Sequence, residues 1–169
     1  MSDLFEQSGG GSKRGGGLHG RFDYALDPKR RFTIPAVWRE IMGAPEFVYI
    51  LPDLSLQCLH LLPPEEMKRN FDFLDRRDLY DTELDTVQSF VNEYAETVGL
   101  DVQGRIRVSD KLLSHAAIED TVVMIGNYNR VQLWALKLRP ATAGVDQDAL
   151  AEAYTAFKRC RSRIVSRER

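Results

Sequence analysis

Three observations predict an α+β fold built from two related halves. The stretch Leu26-Asp27-Pro28-Lys29-Arg30-Arg31-Phe32-Thr33-Ile34-Pro35 returns as Leu100-Asp101-Val102-Gln103-Gly104-Arg105-Ile106-Arg107-Val108-Ser109, which aligns Asp27 with Asp101 and Arg31 with Arg105 at an offset of 74. Without a gap, the same offset brings Phe47-Val48-Tyr49-Ile50-Leu51 onto Thr121-Val122-Val123-Met124-Ile125, and Cys58-Leu59-His60-Leu61-Leu62 onto Gln132-Leu133-Trp134-Ala135-Leu136. Between and after the copies, strand-like alternation gives way to helical periodicity. Two copies are too few to close the core of a solenoid, so one domain of two halves is expected.

A chain of 169 residues, 43% hydrophobic and 28% charged, suits one ordinary soluble domain that folds without staples. No apolar run approaches the roughly 20 residues of a membrane span, and the N-terminus has no signal-peptide core, so a cytoplasmic location is expected. Cys58 and Cys160 fall on an expected core strand and an expected helix face, which favours buried thiols over a disulfide framework. The net charge of -2 excludes a uniformly basic nucleic-acid binder, yet the charges are unevenly spread. Glu65 to Asp85 holds eight acids and four bases, whereas Lys29, Arg30 and Arg31 cluster in one loop. A second basic group, Lys158, Arg159, Arg161, Arg163, Arg167 and Arg169, ends the chain. A polyanion responds to local potential more than to the total.

Taken in order, residues 1–17 contain Gly9-Gly10-Gly11-Ser12-Lys13-Arg14-Gly15-Gly16-Gly17, too poor in apolar surface to offset the entropy of ordering, and a disordered arm is expected. The spacing of a phosphate-binding loop is absent from it. Phe22, Tyr24 and Leu26 alternate as a half-buried strand does. Asp27-Pro28-Lys29-Arg30 has the signature of a type I turn, with Asp first and Pro second. In the second copy Gly104 closes the turn, as a hairpin with a bulge requires. In the returning strands Phe32 and Ile34, or Ile106 and Val108, point one way, which aims Arg31, Thr33, Arg105 and Arg107 to the other face.

Pro35 suits a first helical position, and a short helix over Ala36 to Met42 should stop at Gly43. Ser109 is the matching N-cap candidate in the second half. Paired strands follow, turning at Pro52-Asp53-Leu54-Ser55 and Gly126-Asn127-Tyr128-Asn129. From Pro63-Pro64 onward Met67, Phe71 and Leu74 share one helix face, then Leu84, Val87, Val91 and Tyr94 share another. Asp146 to Val165 should form a longer helix with Leu150, Ala153, Tyr154, Phe157, Cys160 and Ile164 on one side. Its basic end suits a helix C-terminus electrostatically, which accounts for that cluster without a ligand.

No metal set or cofactor is expected, because Cys58 and His60 alternate on one strand while His19 and His115 lie far off in sequence. Neither a nucleophile elbow nor a Ser or Cys with a clear His partner is present, and the linker acids read as a solvated face. The expectation is a protein that is not an enzyme.

The two motif copies, with Arg39, Cys58-Leu59 and Gly126-Asn127-Tyr128-Asn129-Arg130-Val131-Gln132-Leu133-Trp134, make the chain similar to the MraZ family over about Leu18 to Leu138. That resemblance implies duplicated swapped-hairpin AbrB-like β-barrel halves with short helices, a helical linker and a C-terminal helix. The expected division is an arm over 1–17, halves over 18–62 and 94–140, a helical linker over 63–93, and a C-terminal helix with a basic tail over 141–169. It also implies a nucleoid-associated transcriptional regulator of the division and cell-wall gene cluster. Such a regulator would act as a ring-shaped homo-oligomer on double-stranded DNA carrying promoter direct repeats, with no membrane and no small-molecule substrate. Lys29, Arg31 and Arg105 are the matched DNA-facing positions; Arg30 and Arg107 complete the expected basic platform. Asp27, Asp101 and Gly104 are assigned to structuring the turns, because a carboxylate beside phosphate repels it. Arg30 stands where the family pattern has glycine, and a left-handed conformation there would cost about 1 kcal/mol. The alternative is a ring-forming scaffold without DNA binding that holds a protein partner through its acidic linker.

Overall fold

The computed structural model describes residues 16–76, 80–139 and 147–167, which separate into one unit ending at Arg139 and another beginning at Pro140. The first 15 residues of the expected arm, 140–146 and the last two residues of the tail lie outside the described residues. In the first unit, β1 (Arg21–Ala25), β2 (Arg31–Thr33), α1 (Ala36–Ile41), β3 (Phe47–Pro52) and β4 (Leu59–Leu62) precede α2 (Pro64–Phe71), a 3-10 turn over Asp72–Arg76 and α3 (Thr82–Tyr94). Then come β5 (Glu96–Gly99), β6 (Arg105–Arg107), α4 (Asp110–His115), β7 (Thr121–Asn127) and β8 (Arg130–Ala135). The second unit holds α5 (Gln147–Arg167).

The fold is α+β, with antiparallel strands, but the strands do not close into barrels. They form one open six-stranded sheet, β1-β7-β8-β4-β3-β5, and a two-stranded ribbon, β2-β6. The reason lies in partner choice: neither motif folds into a self-paired hairpin. β1 pairs with β7 of the second half and β5 with β3 of the first, while β2 and β6 pair across the halves. The registers repeat under the offset, since Ala25↔Thr121 becomes Gly99↔Phe47. Exchanging strands by that offset leaves the sheet order unchanged when read from the other end.

One apolar cluster fills the space between the inner sheet face, the ribbon, α1 and α4. Phe32 and Ile106, the central pair of the ribbon, are buried there beside Ile34, Trp38, Val108, Leu112 and Leu113. Each large apolar side chain buried is worth about 1.5–3 kcal/mol, and a one-residue slip of either ribbon strand would turn Phe32 or Ile106 to water. Burial of that pair therefore holds Arg31, Thr33, Arg105 and Arg107 on the opposite face.

On the outer sheet face Leu51, Leu62 and Val91 cluster with Met67, Phe71 and Phe90. Phe90 packs inward in place of the expected Val87, which is 37% exposed. The expected single stretch through Leu74 is also broken, with a tighter 3-10 turn following α2. Pro35 serves as the N-cap of α1 instead of its first helical residue, while Ser109 accepts from the Leu112 amide as the N-cap of α4. Cys58 is buried as expected, but Cys160 is exposed, as are all described side chains of α5. Among the described residues α5 is the only element of its unit, so no second element there covers a stripe.

The two turns treat their last residue differently. Gly104 has φ +74, and a Cβ there would lie 2.5 Å from Arg39 Nε and Cζ. Arg39 is not free to yield, because its Nε donates to the Ile34 carbonyl at 3.1 Å. Arg30 takes the equivalent conformation, φ 58, with a side chain in place. Gly104→Ala is therefore expected to lower unfolding free energy by about 1–2 kcal/mol. Arg30→Gly should lose nothing and gain at most about 1 kcal/mol, since relief of the left-handed strain exceeds an exposed ion pair. Denaturant titration of both variants checks this; equal destabilisation by the two would contradict it.

Candidate nucleic-acid interface

The ribbon carries one turn at each end, because β2 and β6 run antiparallel and each follows its own turn. At the first, the Arg30 amide donates to the Asp27 carbonyl at 2.8 Å; at the second, the Gly104 amide donates to the Asp101 carbonyl at 2.8 Å. Each aspartate side chain then fills the turn. Asp27 Oδ1 accepts from the Lys29 and Arg31 amides at 2.9 and 2.8 Å, and Asp101 Oδ1 accepts from the Gln103 and Arg105 amides, both at 2.9 Å. The second carboxylate oxygen holds an arginine. Arg31 Nε donates to Asp27 Oδ2 at 2.8 Å and Arg105 Nε to Asp101 Oδ2 at 2.7 Å.

The two turns are also joined to each other. Arg31 Nη1 lies 3.9 Å from Asp101 Oδ2, and Arg107 Nε donates to the Lys29 carbonyl at 3.2 Å. Arg31 also faces Arg107 directly across the ribbon. Two guanidiniums side by side repel, and the turn carboxylates offset that repulsion by hydrogen bonds to the Nε edge of Arg31 and Arg105, with the longer ion pair of Arg31 Nη1 to Asp101 added. The Arg31 and Arg105 side chains are part-exposed, and the planar fork of donors of a guanidinium fits a phosphate or a guanine edge.

Of the expected platform, Arg31, Arg105 and Arg107 come together on the outer ribbon face, and Lys29 is exposed at the first turn. Arg30 departs from the group. Its Nε forms an ion pair with Asp110 of α4 at 2.7 Å, not aligned as a hydrogen bond, and its side chain lines an open groove with Glu119 and Asp120. That groove is acidic, so Arg30 faces carboxylates as well as the turn. Arg39 and Asp110, absent from the expected site, buttress the second and first turns respectively. Arg39 enters the sequence reading only among the residues that carry the resemblance, and no sequence signal brings its side chain to Gly104 in the other half.

A second polar group sits beyond the turns. His60 Nε2 lies 2.6 Å from Asp53 Oδ2 beside buried Cys58. Burial lowers His60 below the ordinary histidine value, although the hydrogen bond with Asp53 opposes it. Burial alone would raise Asp53, but the Ser55 and Leu56 amides and His60 hold it below the ordinary aspartate value. Burial, aided by Asp53, pushes the Cys58 thiol up to about 12, where it has little thiolate at neutral pH. Among the described residues no three metal-binding side chains gather, and no helix is long and apolar enough to cross a membrane.

Residues 93–138 match the family described as "MraZ protein, putative antitoxin-like". The chain is 34% identical over 116 residues to the transcriptional regulator MraZ of Heliobacterium modesticaldum, covering 69% of this chain and 79% of that protein. It is 30% identical over 135 residues to the transcriptional regulator MraZ of Clostridium acetobutylicum, covering 79% and 93%. The protein of the same name from Alkaliphilus metalliredigens is 31% identical over 116 residues.

The turn carboxylates set a pH dependence. The Arg31 amide above all lowers Asp27, and the Arg105 amide lowers Asp101, both below the ordinary aspartate value. A group lowered on folding contributes stability that is present above its unfolded pKa, about 3.9, and is lost as pH falls through the folded value. The melting temperature of Asp27→Asn plus Asp101→Asn should therefore lie below that of the parent at neutral pH, with the gap closing below about pH 4. A gap that stays constant from pH 7 to pH 2 would contradict the assignment.

Proposed function

The chain belongs to the MraZ family, and from that membership and the geometry of the ribbon we propose that it is a DNA-binding transcriptional regulator. The observation that carries the reading is the pair of aspartate-held arginines, Arg31 and Arg105, presented on one face with Arg107 and with Lys29 at the turn. A two-stranded ribbon fits the major groove, which is about 12 Å wide. At about 3.4 Å per residue, three paired residues separate the two turns by about two base-pair steps. Arg31 and Arg105 reach phosphates or guanine edges with their Nη groups; Lys29 and Arg107 add phosphate contacts. Asp27, Asp101 and Gly104 hold the turns. Arg30 contributes less than its position suggests, because Asp110 already engages it.

The finer reading is that each half is an AbrB-type swapped-hairpin module, that a homo-oligomeric ring repeats the ribbon, and that the ring meets direct repeats upstream of division and cell-wall genes. Cross-half pairing of β1 with β7 and of β5 with β3 supports the swapped-hairpin description. The unlike turn sequences, Pro28-Lys29-Arg30 and Val102-Gln103-Gly104, support a site without dyad symmetry, as a direct repeat is. The cytoplasm and nucleoid are the matching location. A protein-binding scaffold is the second reading, favoured by the carboxylates that engage Arg30, Arg31 and Arg105.

Mobility-shift titration against the promoter of the chain's own operon tests both. Binding should weaken with salt at a log-log slope of about -0.9 per phosphate neutralised, so about -3 to -5 per ribbon. Arg31→Ala plus Arg105→Ala should remove about 1–3 kcal/mol per lost contact. No shift at low salt, or a shift unchanged in the double variant, would favour the scaffold. Light scattering of the same sample should give a mass of several protomers.

A further inference from the structure

The second turn ends in a neutral tip. Val102 is 101% exposed and Gln103 is exposed beside it, although cations flank them on the ribbon. An isoleucine or valine in water is unremarkable when it stands alone, but here the apolar side chain crowns a braced projection. Asp101 Oδ1 fixes the Gln103 amide, Gly104 at φ +74 turns the chain sharply, and the Arg39 guanidinium packs against that glycine. The main chain beneath the tip is thus pinned on both sides, and the two side chains of the tip are left for a ligand. Neither carries a charge with which to hold phosphate. At the equivalent place the first turn has Pro28 and the cation Lys29.

We infer that the second turn reads sequence at an A·T pair: Gln103 through the adenine N6 and N7 edge, and Val102 through the thymine methyl. This rests on the DNA-binding reading above. The chemistry follows from the groove itself. A carboxamide sets an N–H donor beside an acceptor oxygen, so that its amino group donates to adenine N7 while its oxygen accepts from N6, and an aliphatic group gains contact only with the C5 methyl of thymine. Arg105, three residues past Val102 and held by Asp101, keeps the backbone of the same site close. The first turn, with Lys29 in place of Gln103, contributes charge where the second contributes base identity.

The test uses the full chain and the tightest duplex it recovers from a random-sequence pool, with single thymines replaced by uracil and single adenines by 7-deazaadenine. Loss of one buried methyl contact should weaken the parent roughly fourfold at one thymine. Loss of N7 should weaken it roughly tenfold at one adenine. Val102→Ala should ignore the uracil substitution and still respond to 7-deazaadenine, and Gln103→Ala should do the reverse. The high exposure of both side chains keeps these variants folded. Variants that respond as the parent does, or a Val102→Ala that changes oligomeric mass and leaves base preference intact, would overturn the inference alone. A parent that recovers no sequence and binds no duplex at low salt would overturn the DNA-binding reading with it.

Discussion

The site depends on a carboxylate doing two things at once. In each turn one oxygen of Asp27 or Asp101 closes the backbone by accepting two amides, and the other grips the arginine four residues on. Turn geometry and guanidinium orientation are consequently one constraint. A turn without the carboxylate leaves amides unpaired and frees a long side chain whose ordering costs up to about 2 kcal/mol. Without it Arg31 would also face Arg107 across the ribbon with less compensation. Acidic groups beneath a basic platform are thus part of its construction, and the net charge of -2 does not weigh against it.

The core makes this arrangement rigid. Phe32 and Ile106 are buried centrally in the ribbon, against the inner face of a sheet to which both halves contribute strands. Opening one half would expose apolar surface in the other, so the two turns are held by shared packing. The halves then diverge in their detail. One turn bears a strained arginine tied to α4, and the other a glycine packed by an arginine of α1. Related backbones carry unlike chemistry, which suits a ligand that is itself asymmetric.

Much of this was legible in the sequence, for physical reasons that also mark where legibility ends. Alternation in Arg31-Phe32-Thr33 assigns faces, because side chains on a strand have a period of two. It says nothing of partners, so a local hairpin and a swapped pairing read alike, and the barrel expectation yielded to an open sheet plus a ribbon. A left-handed Arg30 was legible only through the resemblance, whose pattern has glycine there, and both turns adopt that conformation at their last residue whatever the side chain. Its ion pair with Asp110 joins elements about 80 residues apart in sequence and had no local signal. Val87 and Phe90 both fall on a plausible helical stripe, and only the position of β3 and β4 decides which is covered.

In the proposed complex the ends of two guanidiniums meet the DNA. Side-chain resonances of Arg31 and Arg105, followed by NMR on the full chain as a duplex from its own promoter is added, test it most directly. The Nη groups should shift and slow their exchange with water, while the Nε protons keep the low exchange of a hydrogen bond to aspartate. Resonances of Arg31 and Arg105 that do not move while those of Arg159, Arg161 and Arg163 on α5 do would place the contact elsewhere and contradict the account.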